Sequence, residues 1–271
     1  MALVAFTVDT ERDLSWPIPG NALEATTFNQ QKPSFDATEK GLQDLLEVLE
    51  KLRIKATFFF EAQTAFVLQK KIDLKKLFKN HEIGFHGFNH EDFAGIKTGV
   101  KVPLEERKKI FAEGIKALEK VFGRRPTGFR APYLGTDEAL MQLASKNFSY
   151  DSSLYGLQVF QEKGFWRIPV SEGNDAEGKK IQGFLWPLME GDRKVEDYLL
   201  LVREAVEKKA NPIVIATHSW HTRFTRKNGR LGERQARDKK ALVERVLSEI
   251  QETEGIEFCT LEEFLKKQNE K

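Results

Sequence analysis

The chain has 271 residues, with 43 Lys and Arg against 41 Asp and Glu, a formal net charge of +2, 40% hydrophobic and 11% aromatic residues. That is material for one large domain, or two at most, and the near-neutral balance excludes both the basic footprint of a general nucleic-acid binder and an acidic disordered tail. One cysteine, Cys259, excludes an internal disulfide and a multi-cysteine zinc site, so any metal must be held by His and carboxylates.

The first residues are too short an apolar run for a secretory signal, and they lack its basic start and cleavage site. They read as a first strand over residues 3–8, ending at Asp9 and Glu11. No apolar run approaches the ~20 residues of a membrane helix, so the expectation is a cytoplasmic protein with no transmembrane segment and no nucleic-acid partner. Residues 12–33, with Trp16, Pro17, Pro19 and Gly20, read as a long loop. Leu42, Leu45, Leu46 and Leu49 mark a helix over 38–52 by their three- and four-residue spacing. Strands follow at 56–60 and 82–85, a helix at 104–122, strands at 128–130 and 166–170, a helix at 195–209, a strand at 213–217 and a helix at 237–250. Between the last two lies a second long loop, residues 218–233, crowded with Arg and Lys. No linker or repeat divides the chain, so 1–271 reads as one domain. Strand, helix, strand order implies an α/β fold with parallel pairing, either a barrel or a doubly wound sheet.

In a parallel barrel, side chains at the carboxyl ends of the strands converge on one face. Here polar residues sit at those ends. Asp9 and Glu11 end the first strand and suit a metal ligand or a general base; a single Asp after a strand equally suits a turn or cap. His86 and His90 stand four apart after the strand 82–85, a spacing that lets both rings reach one ion, although ordinary core or surface histidines also fall so. Arg130 ends the strand 128–130 and can hold a carboxylate, in a site or in a structural ion pair. His218 ends the strand 213–217 and suits proton transfer near neutral pH. Jointly, a carboxylate, a His pair, an Arg and a His at successive strand ends are the components of metal-assisted hydrolysis.

These residues, with Lys55-Ala56-Thr57-Phe58-Phe59-Phe60, Arg130-Ala131-Pro132-Tyr133, Asp151-Ser152-Ser153 and the stretch 256–265, resemble the NodB-like polysaccharide deacetylases, carbohydrate esterase family four. The resemblance spans nearly the whole chain. It implies a distorted, incomplete (β/α) barrel of about seven parallel strands, holding one divalent metal ion, zinc first with cobalt or nickel as alternatives, and removing an N-acyl group. Carried over, Asp9 is the general base, His86 and His90 are metal ligands, and Arg130 orients Asp9. The backbone N–H of Tyr133 binds the oxyanion and His218 is the general acid.

The first motif departs from the family, since the usual adjacent aspartates are replaced by Asp9-Thr10. Glu11 is the substitute ligand, because residues two apart in a strand point the same way; Asp13 and Thr10 are alternatives. The carboxylate that orients the acid histidine is not cleanly present, and Asp175 is the candidate for it. Trp16 and Trp220 adjoin the catalytic positions as sugar platforms. Arg226 stands in a run with Arg223, Lys227, Arg230, Arg234 and Arg237, a basic rim for an anionic aminosugar or small amide substrate. The readings in competition are an N-acyl aminosugar hydrolase, a non-sugar amidohydrolase of cyclic imide or ureide type or a deformylase, and an inactive glycan-binding barrel. Oligomeric state is left open.

Overall fold

The computed structural model describes residues 2–269. In chain order the elements are β1 (Ala2–Thr10), β2 (Ser15–Ile18), β3 (Asn21–Thr27), α1 (Asp36–Leu52), β4 (Thr57–Phe60), α2 (Ala62–Leu68), α3 (Leu74–Leu77) and β5 (Glu82–Phe85). Then come α4 (Leu104–Phe122), β6 (Gly128–Phe129), a 3-10 turn (Pro132–Leu134), α5 (Glu138–Ser145), β7 (Tyr150–Asp151), β8 (Phe160–Glu162) and β9 (Phe165–Arg167). The rest is β10 (Glu172–Asn174), β11 (Lys180–Gln182), α6 (Trp186–Glu190), α7 (Val195–Glu207), β12 (Ile213–His218), β13 (Phe224–Thr225), β14 (Gly229–Arg230), α8 (Glu233–Gln251), β15 (Ile256–Phe258) and α9 (Leu261–Asn269).

The main sheet has nine strands in the order β12-β1-β4-β5-β6-β7-β9-β8, with β15 beside β1. Every strand but β8 runs parallel to its neighbours, so the sheet curls into the incomplete barrel that the sequence implied, with nine strands in place of about seven. The extra strands are β15, which pairs with the first residues of β1 where β4 does not reach, and the three-residue antiparallel edge β8. Between β9 and β12 the ladder lapses. Irregular chain bridges the gap through Ser171 N–H to the Val214 carbonyl at 3.0 Å and a Phe184–Ala216 bridge.

Two-residue alternation sorts the barrel wall into an outer and an inner face. On β1, Val4, Phe6 and Val8 join the core under the helices, whereas Leu3 and Ala5 join a second core inside the barrel. Phe59, Tyr150, Val214 and Ala216 line that interior, and Leu261, Phe264 and Leu265 of α9 plug its lower end. The filling is tight: a Cβ on Gly128 would lie 2.0 Å from the Tyr150 ring, so only glycine fits there. Extended upward, the inner parity runs through Thr7 and Asp9 on β1 and Glu11 just past it, Gly84 on β5 and His86 just past it, Arg130 after β6, and His218 on β12. The pleat that buries Leu3 and Ala5 therefore delivers the polar residues to one rim.

Outside, the leucine spacing forms α1 as expected, and Leu42, Leu45, Val48 and Leu49 are buried. Its N-terminus is held by Asp13, whose carboxylate accepts from the N–H groups of Ala37 at 3.0 Å and Thr38 at 2.7 Å. The two expected loops are partly ordered: β2 and β3 form one hairpin and β13 and β14 another. Among the described residues no helix is long and apolar enough to cross a membrane.

Candidate active site

Glu11, just past β1, is the hub of the rim. Its Oε1 accepts from the Trp220 indole N–H at 3.0 Å, which turns Oε2 toward two imidazoles. His90 Nε2 contacts Oε2 directly, and His86 Nε2 lies 3.6 Å from it. The ligand atoms of Glu11, His86 and His90 all lie within 4.8 Å of one another, and all three side chains are buried. His86 Nδ1 donates to the Arg130 carbonyl at 2.7 Å, which fixes the tautomer that presents a lone pair at Nε2. Burial alone raises the Glu11 carboxyl, yet the facing His90 and His86 outweigh it and hold the group well below the usual carboxylate range. Burial likewise lowers His86, but Asp9 and Glu11 outweigh it and leave the ring above its ordinary value. An ionised carboxylate and two inward imidazoles in a water-poor setting fit a small divalent cation.

The turn after β5 is shaped to bring His90 back. Gly87 and His90 adopt left-handed φ of +79° and +60°, a conformation that is costly for a non-glycine residue such as His90. Glu91 closes the turn by accepting from the N–H groups of Phe88 and Asn89, both at 2.8 Å. Its carboxyl is pushed up to about 7, chiefly by burial.

Asp9 stands beside this cluster, paired in register with His218 across β1 and β12. Arg130 Nη1 donates to Asp9 Oδ1 at 2.7 Å and to the Thr7 hydroxyl at 3.0 Å. The guanidinium is itself locked, donating to the Ser152 carbonyl at 2.9 Å and the Ser152 hydroxyl at 2.8 Å, with its cationic carbon 4.3 Å from the Phe59 ring centroid. Ser153 accepts from the Ala131 N–H at 2.8 Å, so the Asp151-Ser152-Ser153 segment is a clamp for the Arg130 turn. That turn bends at Tyr133 and Leu134, with φ of 57° and 55°, and lays the Tyr133 ring edge-on to His90 at 4.5 Å. His218 lies in an aromatic box, stacked on Phe184 at 5.3 Å and edge-on to Trp186 at 5.3 Å. Burial holds it below its ordinary value, against the pull of Glu11 and Asp9.

Several expected roles change. Trp220 is fully buried and binds Glu11 rather than offering a sugar platform; Trp186 lines the pocket instead. Asp175 does not orient His218: its carboxylate sits in the β10–β11 turn, pairs with Arg193 and accepts the N–H groups of Glu177 and Lys179. Among the described residues His218 Nδ1 has no partner, nor does either nitrogen of the buried His221. Asp13 is spent on α1, and Thr10 falls on the outer parity with its hydroxyl 3.4 Å from the Val8 carbonyl, so neither joins Glu11. Trp16 and Arg226 do line the pocket, and the Arg226 guanidinium lies 5.6 Å over the Trp16 ring. Of the foreseen basic run, Arg223 pairs with Asp44, Lys227 with Asp192 and Arg230 with Asp36.

The pocket above these residues encloses about 760 Å³ and takes in Asp9, Glu11, His86, His90 and His218 at its floor. Three hairpins wall it, contributing Trp16 from β2, Ile181 from β11 and Arg226 from the β13–β14 turn. A polysaccharide deacetylase family model matches residues 25–149, which include His86, His90, Arg130 and Tyr133 but not Asp9, Glu11 or His218. In this stretch the chain is similar to the polysaccharide deacetylases, and its fold is that of solved structures described as such. A peptidoglycan deacetylase-like protein of Gibberella zeae is 31% identical over 121 residues, 43% of this chain and 33% of that one. The chain spans about a third of the length of the curated relatives it matches. Among solved structures, a polysaccharide deacetylase described as putative from Mycobacterium smegmatis superposes with a TM-score of 0.68 at 18% identity, covering 99% of this chain and 90% of the other. Puue allantoinase superposes at 0.67 with 15% identity, covering 98% and 89%. These likenesses describe the fold.

Proposed function

We propose that the chain is a metal-dependent hydrolase that removes an N-acyl group, N-acetyl first, from an aminosugar-containing substrate. The observation that carries this reading is the convergence of Glu11, His86 and His90 beside the Asp9–Arg130 pair, on the floor of one pocket. Glu11, His86 and His90 are the residues that would hold a divalent ion, zinc first. Such an ion, when bound, supplies Lewis acidity that polarises the amide carbonyl and lowers the pKa of water.

The chain's own groups do the rest. Asp9, held by Arg130, takes a proton from the attacking water as its oxygen adds to the carbonyl carbon. The backbone N–H of Tyr133 donates to the oxyanion that develops on the acyl oxygen. As the C–N bond breaks, His218 gives a proton to the departing nitrogen, so one water is consumed and an acid and an amine leave. Phe184 and Trp186 hold the His218 ring without a carboxylate, and Trp16 and Trp186 offer flat apolar faces to a sugar ring.

The test is acid release from N-acetylglucosamine, short chitooligosaccharides, an N-formyl aminosugar, allantoin and a cyclic imide, with and without added zinc. Acetate release from the sugars that chelator abolishes is the expected result. Turnover confined to the imide or allantoin overturns the sugar assignment, and no turnover of any amide by the zinc-loaded protein overturns the hydrolase reading.

A further inference from the structure

Four cationic side chains line the pocket, and they differ in how they are neutralised. Lys180 pairs with Glu172 at 2.8 Å, and Arg193 pairs with Asp175. Lys97 and Arg226 have no carboxylate partner among the described residues, although Arg223, Lys227 and Arg230, within four residues of Arg226, are all paired. Of these four neighbours, the one without a carboxylate partner is the one that lines the pocket. Among the described residues the lining holds carboxylates only at Asp9 and Glu11, which are engaged by Arg130 and by the histidines.

Both free cations sit on pinned backbone. Lys97 lies in a turn that the Asp92 carboxylate closes, accepting from the Lys97 N–H at 2.7 Å. Glu190 fixes the β13–β14 turn by accepting from the Arg226 N–H at 2.7 Å. The β2–β3 hairpin joins them: Gly20 N–H donates to the Thr98 carbonyl at 2.9 Å, and Trp16 lies beneath the Arg226 guanidinium. Stacking on the indole restricts the guanidinium while leaving its N–H fork to meet an oxyanion in two contacts.

We propose that Lys97 and Arg226 form an oxyanion subsite, so that the substrate is a small N-acyl aminosugar carrying a phosphate or carboxylate rather than a neutral polymer. This rests on the hydrolase reading for the role of the pocket floor, while the subsite itself rests on the charges at its mouth. Walls made by three hairpins suit a compact ligand over a long chain, and an uncompensated cation pair beside an aromatic face selects for charge at one end of it.

The experiment measures calorimetric binding and hydrolysis of N-acetylglucosamine, N-acetylglucosamine 1-phosphate and N-acetylmuramic acid by the zinc-loaded protein. At least one anionic sugar should bind about tenfold more tightly than the neutral one, as a charge-assisted contact implies. Whichever binds better assigns the phosphate or the carboxylate. Arg226→Glu and Lys97→Glu should each remove most of that preference, and raising the salt should shrink it. Arg230→Glu, whose side chain is paired with Asp36 outside the pocket lining, should keep it. Equal affinity for charged and neutral sugars, or a preference that both reversals leave intact, overturns the subsite. Preferential binding without turnover sustains the subsite and removes the hydrolase reading; turnover without preference does the reverse.

Discussion

The two ends of the barrel each bury a carboxylate, and they treat it in opposite ways. At the lower end Glu82 accepts from the hydroxyls of Thr57 at 2.7 Å, Thr127 at 2.6 Å and Tyr150 at 2.7 Å and from the Glu262 N–H at 2.9 Å. Burial raises its carboxyl despite those donors, and the network ties β4, β5, β7 and α9 together. At the upper rim Glu11 has one neutral donor, Trp220, and its other oxygen faces histidines across a pocket. Nearby, His90 Nδ1, His218 Nδ1 and the Tyr133 hydroxyl are buried without partners among the described residues. A saturated carboxylate fastens a fold, whereas polar groups left short of partners around a cavity are poised to meet something else.

The comparison can be broken at either end. The largest effect is expected at the rim: His86→Ala should reduce acid release to background, read by acetate assay. Asp9→Asn should lower kcat/KM by about 10²–10⁴-fold while keeping the metal, since it removes the base and not a ligand. At the lower end Glu82→Ala should cost about 3 kcal/mol in urea unfolding by removing the acceptor of three hydroxyl groups and one N–H, with activity per folded molecule kept. Equal damage to activity from Glu82→Ala would erase the distinction between the ends. Trp220→Phe sharpens it, because loss of the indole N–H should weaken metal binding by about 10–100-fold with little change in stability.

The smallest effect tests a carboxylate of intermediate kind. The Arg107 hydrogen bond is the main cause that holds Asp137 at about 2. A depressed folded-state value stabilises the fold above the carboxyl's ordinary range and loses that contribution as pH falls through about 2. Asp137→Asn should therefore cost about 1 kcal/mol at pH 7, and its unfolding curve should converge on that of the wild type below about pH 2.

How legible this was in the sequence follows from what each residue depends on. A continuous apolar run marked β1, and the two-residue spacing of Asp9 and Glu11 gave them a shared face, because both are local properties of one strand. The strand ends at His86, Arg130 and His218 were visible for the same reason. The hairpin β2–β3 was hidden by Pro17, which reads as a strand breaker but is tolerated in an edge ribbon. β7 has two residues, too few for any periodicity. Trp220 and Asp175 were misassigned because proximity in sequence says nothing of which way a loop side chain turns. Trp220 folds inward onto Glu11, 209 residues away, and Asp175 turns to Arg193. The role of Ser152 and Ser153 in clamping Arg130 had a signal in the Asp151-Ser152-Ser153 motif, but only the contact gives it meaning.

The most direct test of the central claim is the metal content of the protein purified without chelator, beside Glu11→Gln, His86→Ala and Asp9→Asn, each checked for folding by circular dichroism. About one zinc-type ion per chain in the wild type and in Asp9→Asn, with loss in both ligand variants, is the expected result. A wild type that stays empty after incubation with zinc and cobalt, or a Glu11→Gln variant that holds the ion as tightly as the wild type, would contradict it.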